Sequence, residues 1–128
     1  MNTDFRTPLA KVRGLGAAGN GTDHFLGQRI SAIALAILLP TFAVSVILAT
    51  DGGHESVTAW LRTPYGAGLC VLLALTALFH MRIGLQTVIE DYLHRPTTKI
   101  AALLANTFIP AVLAVLAVLS VLRIFTGA

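Results

Sequence analysis

Three long apolar runs, separated by short polar stretches, constrain this chain more than any other feature. Ile30 to Thr50 is twenty-one residues without a charge. Gly66 to Ile89 opens on the apolar GAGLCVLLALTALF and turns polar in its second half. Lys99 to Leu122 is interrupted only by Asn106 and Pro110. A helix rises about 1.5 Å per residue, so about 20 residues cross a hydrocarbon core about 30 Å thick. Within that core a spanning segment must satisfy its own backbone N–H and C=O groups, which a helix does. The expected fold is therefore all-α, an integral membrane protein with three transmembrane helices at about 29–50, 66–91 and 99–123.

Composition agrees. Only 12% of the side chains are charged, about half the fraction of a soluble domain, and 55% are hydrophobic. Three spans with short connections use nearly all of the 128 residues, so a single membrane-anchor domain, 1–128, is expected, with 1–28 as a polar lead. The net charge of +3 accompanies no basic run and no aromatic platform, which argues against nucleic acid as a partner and for membrane lipid. Cys70 is the sole cysteine and lies in an apolar run, so it forms neither an internal disulfide nor a multi-thiolate metal site. No secretory signal or Arg- and Ser-rich transit peptide is evident before Ile30, and a mature bacterial form or a processed one is expected.

The connections set the expected topology. The glycines of 14–21 read as a flexible or extended lead, and Thr22 or Asp23 as the cap of the first helix. Pro40 is expected to kink that helix, and Ser31 and Ser45 to bond back to its carbonyls. Asp51 to Pro64 reads as a loop, with His54 solvated and Trp60 and Tyr65 in an interfacial belt. Arg6, Lys11, Arg13, Arg29, Arg95 and Lys99 fall on one side of the membrane, against Arg62 and Arg123 on the other. The positive-inside rule then puts the N-terminus in the cytoplasm.

The chemistry concentrates in Phe79 to Tyr92, FHMRIGLQTVIEDY. On a helix of about 100° per residue, His80, Gly84, Thr87 and Asp91 share one stripe, with His80 and Asp91 roughly 17 Å apart along the axis. Arg82, Gln86 and Glu90 form a second stripe, with Arg82 about 200° from His80. Polar groups at such depth require a partner, a cofactor or water. For His80 two readings stay open: a neutral imidazole bonded to a neighbouring helix, or an axial ligand of haem iron. Gly84 serves either one, as a bare surface for a flat macrocycle or for close helix packing. His24, His54 and His94 lie outside that depth, so if a haem is bis-histidine ligated its second ligand has to come from another subunit. Arg29 reads as a propionate-binding cation or as a snorkelling arginine. Asp91 and Tyr92 read as a proton-relaying carboxylate beside a quinone-binding phenol, or as an ordinary interfacial pair.

The stretch FHMRIGLQTVIEDY resembles the signature of the small hydrophobic membrane-anchor subunit of succinate dehydrogenase (respiratory complex II). His80, Gly84, Asp91 and Tyr92 match its pattern, and HFLGQRISAIAL resembles the family's first helix, whose arginine corresponds to Arg29. The resemblance implies pairing with a second three-helix anchor, the cytochrome b556 subunit, around a shared haem b. His80 would be one axial ligand, Gly84 would lie on the haem face, and Arg29 would face the propionates or the quinone region. Ubiquinone would bind near Tyr92 and Asp91. FAD and iron–sulfur clusters would reside only in two partners, a flavoprotein subunit and an iron–sulfur subunit. Both would dock on the cytoplasmic face of the bacterial inner membrane. The resemblance assigns no role to Arg82, and the isolated chain is expected to be inactive. Three other readings stay open: a fumarate reductase anchor, a haem-free membrane scaffold, and a transporter subunit with His80, Arg82 and Glu90 along a proton path.

Overall fold

The computed structural model describes residues 7–14 and 21–127. Five helices follow in order: α1 (Pro8–Val12), α2 (Gly21–Ala49), α3 (His54–Leu61), α4 (Pro64–Tyr92) and α5 (Pro96–Thr126). α2, α4 and α5 are each long and apolar enough to cross a membrane. At about 1.5 Å per residue, the 29 residues of α4 extend about 43 Å, beyond a hydrocarbon core and into the headgroups.

Few large apolar side chains are interior. Among the described residues the buried hydrophobics are Trp60, Leu69, Ile89 and Val121, while Ile33, Ile37, Leu104, Phe108, Val112 and many others lie exposed. With so few of the described apolar side chains buried, the apolar surface is matched to lipid or to another subunit. α4 is the central element, packed on one side by α2 and on the other by α5.

Small and polar residues set those contacts. A Cβ on Gly27 of α2 would stand 3.1 Å from Ile83 Cδ1 and 3.7 Å from Phe79 Cζ, so the bare glycine brings α2 close against α4. Towards the other end of the pair, Ser45 Oγ and Tyr65 Oη share a hydrogen bond of 2.8 Å. Ser45 thus ties two helices together, where a bond to its own helix carbonyls was expected. On α5, Asn106 is buried and its Nδ2 donates to the Arg82 carbonyl of α4 at 2.8 Å. Lys99 Nζ donates to the Glu90 carbonyl at 3.0 Å, closing the turn between α4 and α5.

The connection expected to be a plain loop contains α3. Asp51 organises its start, accepting from the Gly53 N–H at 3.0 Å and from the Ser56 hydroxyl. These bonds hold the Asp51 carboxyl below its ordinary pKa. His54 begins α3 and is exposed. Trp60, expected at the lipid interface, instead turns inward: it is 6% exposed and meets Phe42 edge-on at 5.7 Å between ring centroids. Gly66 makes this possible, since a Cβ there would collide with the Trp60 carbonyl. Thr63 caps α4 by accepting from the Gly66 N–H at 3.0 Å, with Pro64 in the first turn.

α2 starts at Gly21, so Thr22 and Asp23 lie inside its first turn, where the Asp23 carboxylate suits the helix dipole. The preceding cap and the glycines at 16 and 19 lie outside the described residues; Gly14, which is described, has φ of 64°. Pro40 lies within an unbroken α2, and Pro110 is buried within α5.

Candidate functional site

The two polar stripes of α4 open on different sides of the helix row. The His80 stripe lies beside α2. Ser31 of α2 is only 4% exposed, and its Oγ stands 2.9 Å from His80 Nδ1. The same hydroxyl donates back to the Gly27 carbonyl at 2.7 Å, with the Gln28 carbonyl at 3.1 Å. A serine hydroxyl carries one proton and two lone pairs. With that proton on the carbonyls of α2, the oxygen offers His80 a lone pair, and an Nδ1–H tautomer would donate to it and leave the Nε2 lone pair uncommitted. Among the described residues, no hydrogen bond engages Nε2.

Gly84 follows His80 by one turn. The Cβ it lacks would have a single neighbour within 4 Å, Gln28 Nε2 at 3.3 Å. One edge of the bare backbone is thus covered by the Gln28 amide, and the rest is open. Gln28 Oε1 is a buried acceptor with no hydrogen-bond partner among the described residues. Together Ser31, Gln28, His80 and Gly84 form a patch in which α2 supplies the hydrogen-bonding groups and α4 the imidazole.

Arg29 does not join this patch. It lies about 160° round α2 from Ser31. Its guanidinium stands 5.3 Å from the Phe25 ring centroid, a cation–π contact on an exposed surface. Asp91 and Tyr92 are both exposed in the last turn of α4, with Tyr92 76% exposed. No hydrogen bond engages the Tyr92 hydroxyl among the described residues; its backbone carbonyl lies 3.1 Å from His94 Nδ1. The structure brings His80 and Gly84 together with Ser31 and Gln28, and leaves Arg29, Asp91 and Tyr92 apart from them.

The second stripe is occupied differently. Gln86 Nε2 donates to Glu90 Oε1 at 2.8 Å, so the amide pairs along its own helix. Arg82 lines a cleft of about 210 Å³ with Asp23, His24, Gly27, Phe79, Ile83 and Gln86, away from the His80 patch.

A profile of the succinate dehydrogenase/fumarate reductase transmembrane subunit family matches residues 3–124. The chain belongs to that family. It is similar to the succinate dehydrogenase hydrophobic membrane anchor subunit of Paracoccus denitrificans, at 33% identity over 84% of each chain. It is also similar to the protein of the same name from Rickettsia bellii, at 34% identity over 73% of this chain and 74% of that one. No solved structure matches. The chain is a multi-pass membrane-anchor subunit of the succinate dehydrogenase/fumarate reductase type.

Sequence reasoning did not find Gln28 or the pairing of Ser31 with His80. The available signal was a hydroxyl four residues from a helical glycine in an otherwise apolar run. It identifies a polar position, but the partner is visible only once α2 and α4 are in register.

Proposed function

We propose that the chain anchors a succinate dehydrogenase in the bacterial inner membrane. With a cytochrome b556 anchor subunit it forms a pocket for haem b and part of a ubiquinone site. The observation that carries this reading is His80, half-buried in a membrane helix, with Nδ1 within hydrogen-bond distance of Ser31 and Nε2 without a hydrogen bond among the described residues. The residues fit the group. A neutral imidazole with one free nitrogen is the donor that haem iron takes. Gly84 leaves most of the adjacent backbone uncovered for a flat ring. A further ligand to that iron would come from the partner anchor. Bound there, the haem supplies a one-electron redox centre within the membrane.

The remaining roles follow the chemistry of each side chain. Arg29, held over Phe25, offers a cation to haem propionates or to the quinone region. Tyr92 offers a phenol O–H to a quinone carbonyl. Asp91, beside it and open to water, holds a proton for the reduced oxygen. The lysine and arginine asymmetry supports a cytoplasmic N-terminus, with Asp91 and Tyr92 at the cytoplasmic surface. There the flavoprotein and iron–sulfur partners dock, bringing FAD and iron–sulfur clusters, and electrons from succinate pass to ubiquinone.

A haem-free scaffold has one observation in its favour: the Ser31 bond satisfies one nitrogen of a histidine in a packed helix pair. A fumarate reductase anchor shares the family description, and succinate is preferred because the Paracoccus and Rickettsia relatives carry that name. A proton path through His80, Arg82 and Glu90 is disfavoured, because His80 and Arg82 lie about 200° apart on α4.

The test is a reduced-minus-oxidised visible spectrum of the purified complex, wild type against His80→Ala. A low-spin b-type spectrum that is lost or altered in the variant is expected. An unchanged spectrum would remove His80 as ligand, and a wild-type complex without haem would favour the scaffold.

A further inference from the structure

We infer that Ser31 is a positioning residue for the haem ligand: its hydroxyl oxygen accepts the His80 Nδ1–H, selects the tautomer that leaves Nε2 free, and orients the ring plane. The inference rests on the reading of His80 as an iron ligand and deepens it.

Three observations carry it. Ser31 Oγ stands 2.9 Å from His80 Nδ1, and 2.7 and 3.1 Å from the Gly27 and Gln28 carbonyls, which can take its proton and leave a lone pair for the ring. Ser31 is 4% exposed, so bulk water does not compete for its oxygen. Gly27, one turn away on α2, lies where an added Cβ would stand 3.1 Å from Ile83 Cδ1 and 3.7 Å from Phe79 Cζ, so α2 and α4 are close at the level of the bond. An Nδ1–H donated to an acceptor makes the opposite nitrogen more basic and holds the ring at one rotation about its Cβ–Cγ bond. A more basic Nε2 favours ferric over ferrous haem. Ser31 would therefore lower the potential of a haem held by His80, and it holds one orientation of the His80 ring plane.

The experiment uses the assembled complex with Ser31→Ala and Ser31→Thr. Ser31 also lines a cleft of about 480 Å³ with Ile30, Ala34, Leu75 and Thr76. Two readouts are taken: the haem midpoint potential by redox titration, and the low-spin ferric EPR spectrum, which reports the relative orientation of the axial ligand planes. Ser31→Ala is expected to raise the potential and to shift the low-field EPR feature, and Ser31→Thr to restore both towards wild type. If alanine leaves both readouts unchanged, or if threonine perturbs them as much as alanine, the hydroxyl does not position the ligand. Should Ser31→Ala fail to assemble, Ser31→Cys, which keeps the volume but offers only a weak sulfur acceptor, must show the same upward shift; an unshifted potential overturns the inference. Failure of the underlying reading is separable, because it appears as an unchanged haem spectrum in His80→Ala.

Discussion

Gly27→Ala and Gly66→Ala make the same chemical change near the start of two membrane helices, and the structure assigns them opposite outcomes. At Gly27 the new Cβ meets Ile83 Cδ1 at 3.1 Å and Phe79 ring atoms at 3.7 and 3.9 Å. The tight neighbour is the end of a flexible side chain that can yield by a few tenths of an ångström, and the other two contacts are ordinary packing. Against that small cost stands the helix preference of alanine over glycine, about 0.8–1.0 kcal/mol. The net effect is expected within about 1 kcal/mol of zero, on the stabilising side. At Gly66 the new Cβ would overlap the Trp60 carbonyl oxygen and approach its carbon at 2.9 Å and its ring at 3.0 Å. Backbone cannot swing aside as a side-chain tip does, so α3 must lift from α4. Overpacking of this kind costs about 1–3 kcal/mol or more, which outweighs any gain in helix preference. The two variants should therefore differ by about 2 kcal/mol or more. Thermal unfolding of the detergent-solubilised complex, alongside the amount of anchor retained in membranes, measures the gap. Equal melting temperatures for the two variants, or a more stable Gly66→Ala, would refute the packing assigned to α3.

Further expectations concern the other polar contacts. Tyr92→Phe and Asp91→Asn should lower quinone reductase turnover about tenfold or more while leaving succinate oxidation with an artificial acceptor intact; equal loss of both activities would indicate an assembly defect instead. A double-mutant cycle of Ser45→Ala and Tyr65→Phe should show a coupling of about 0.6 kcal/mol and no more than about 1.7, the range for hydrogen bonds between membrane helices. Asn106→Ala should cost less than about 1 kcal/mol beyond the lost packing, because it removes a bond to the Arg82 carbonyl but also a buried Oδ1 that has no partner among the described residues. The Asp51 pKa is lowered in the folded chain from 3.8, so its stabilising contribution is present above that value and is lost as pH falls through the lower folded pKa. Thermal scans from neutral to acidic pH should show a loss of stability in that acid window that Asp51→Asn lacks.

The architecture was legible in the amino-acid order. A bilayer leaves one solution for an isolated apolar run of about 20 residues, so the three long helices followed from length alone. The fixed turn of about 100° per residue was enough to separate the His80 stripe from the Arg82 stripe, and to mark Gly84 as a bare position beside the histidine. What each polar group meets emerged only from the packed helices. Ser31 reads as an isolated hydroxyl that bonds to its own helix, and it does so, yet its lone pair faces His80 across the α2–α4 contact. Ser45 and Tyr65, twenty residues apart in the chain, are joined for the same reason. Trp60 looked like an interfacial anchor until α3 folded back on Gly66 and buried it. Arg29 belongs to the same resemblance as His80 but lies on another face of α2. Helical periodicity specifies the angle of a side chain on its own helix. Register and rotation between helices depend on contacts such as Ser31–His80, Ser45–Tyr65 and the close approach of Trp60 to Gly66, and those contacts exist only when the helices are assembled.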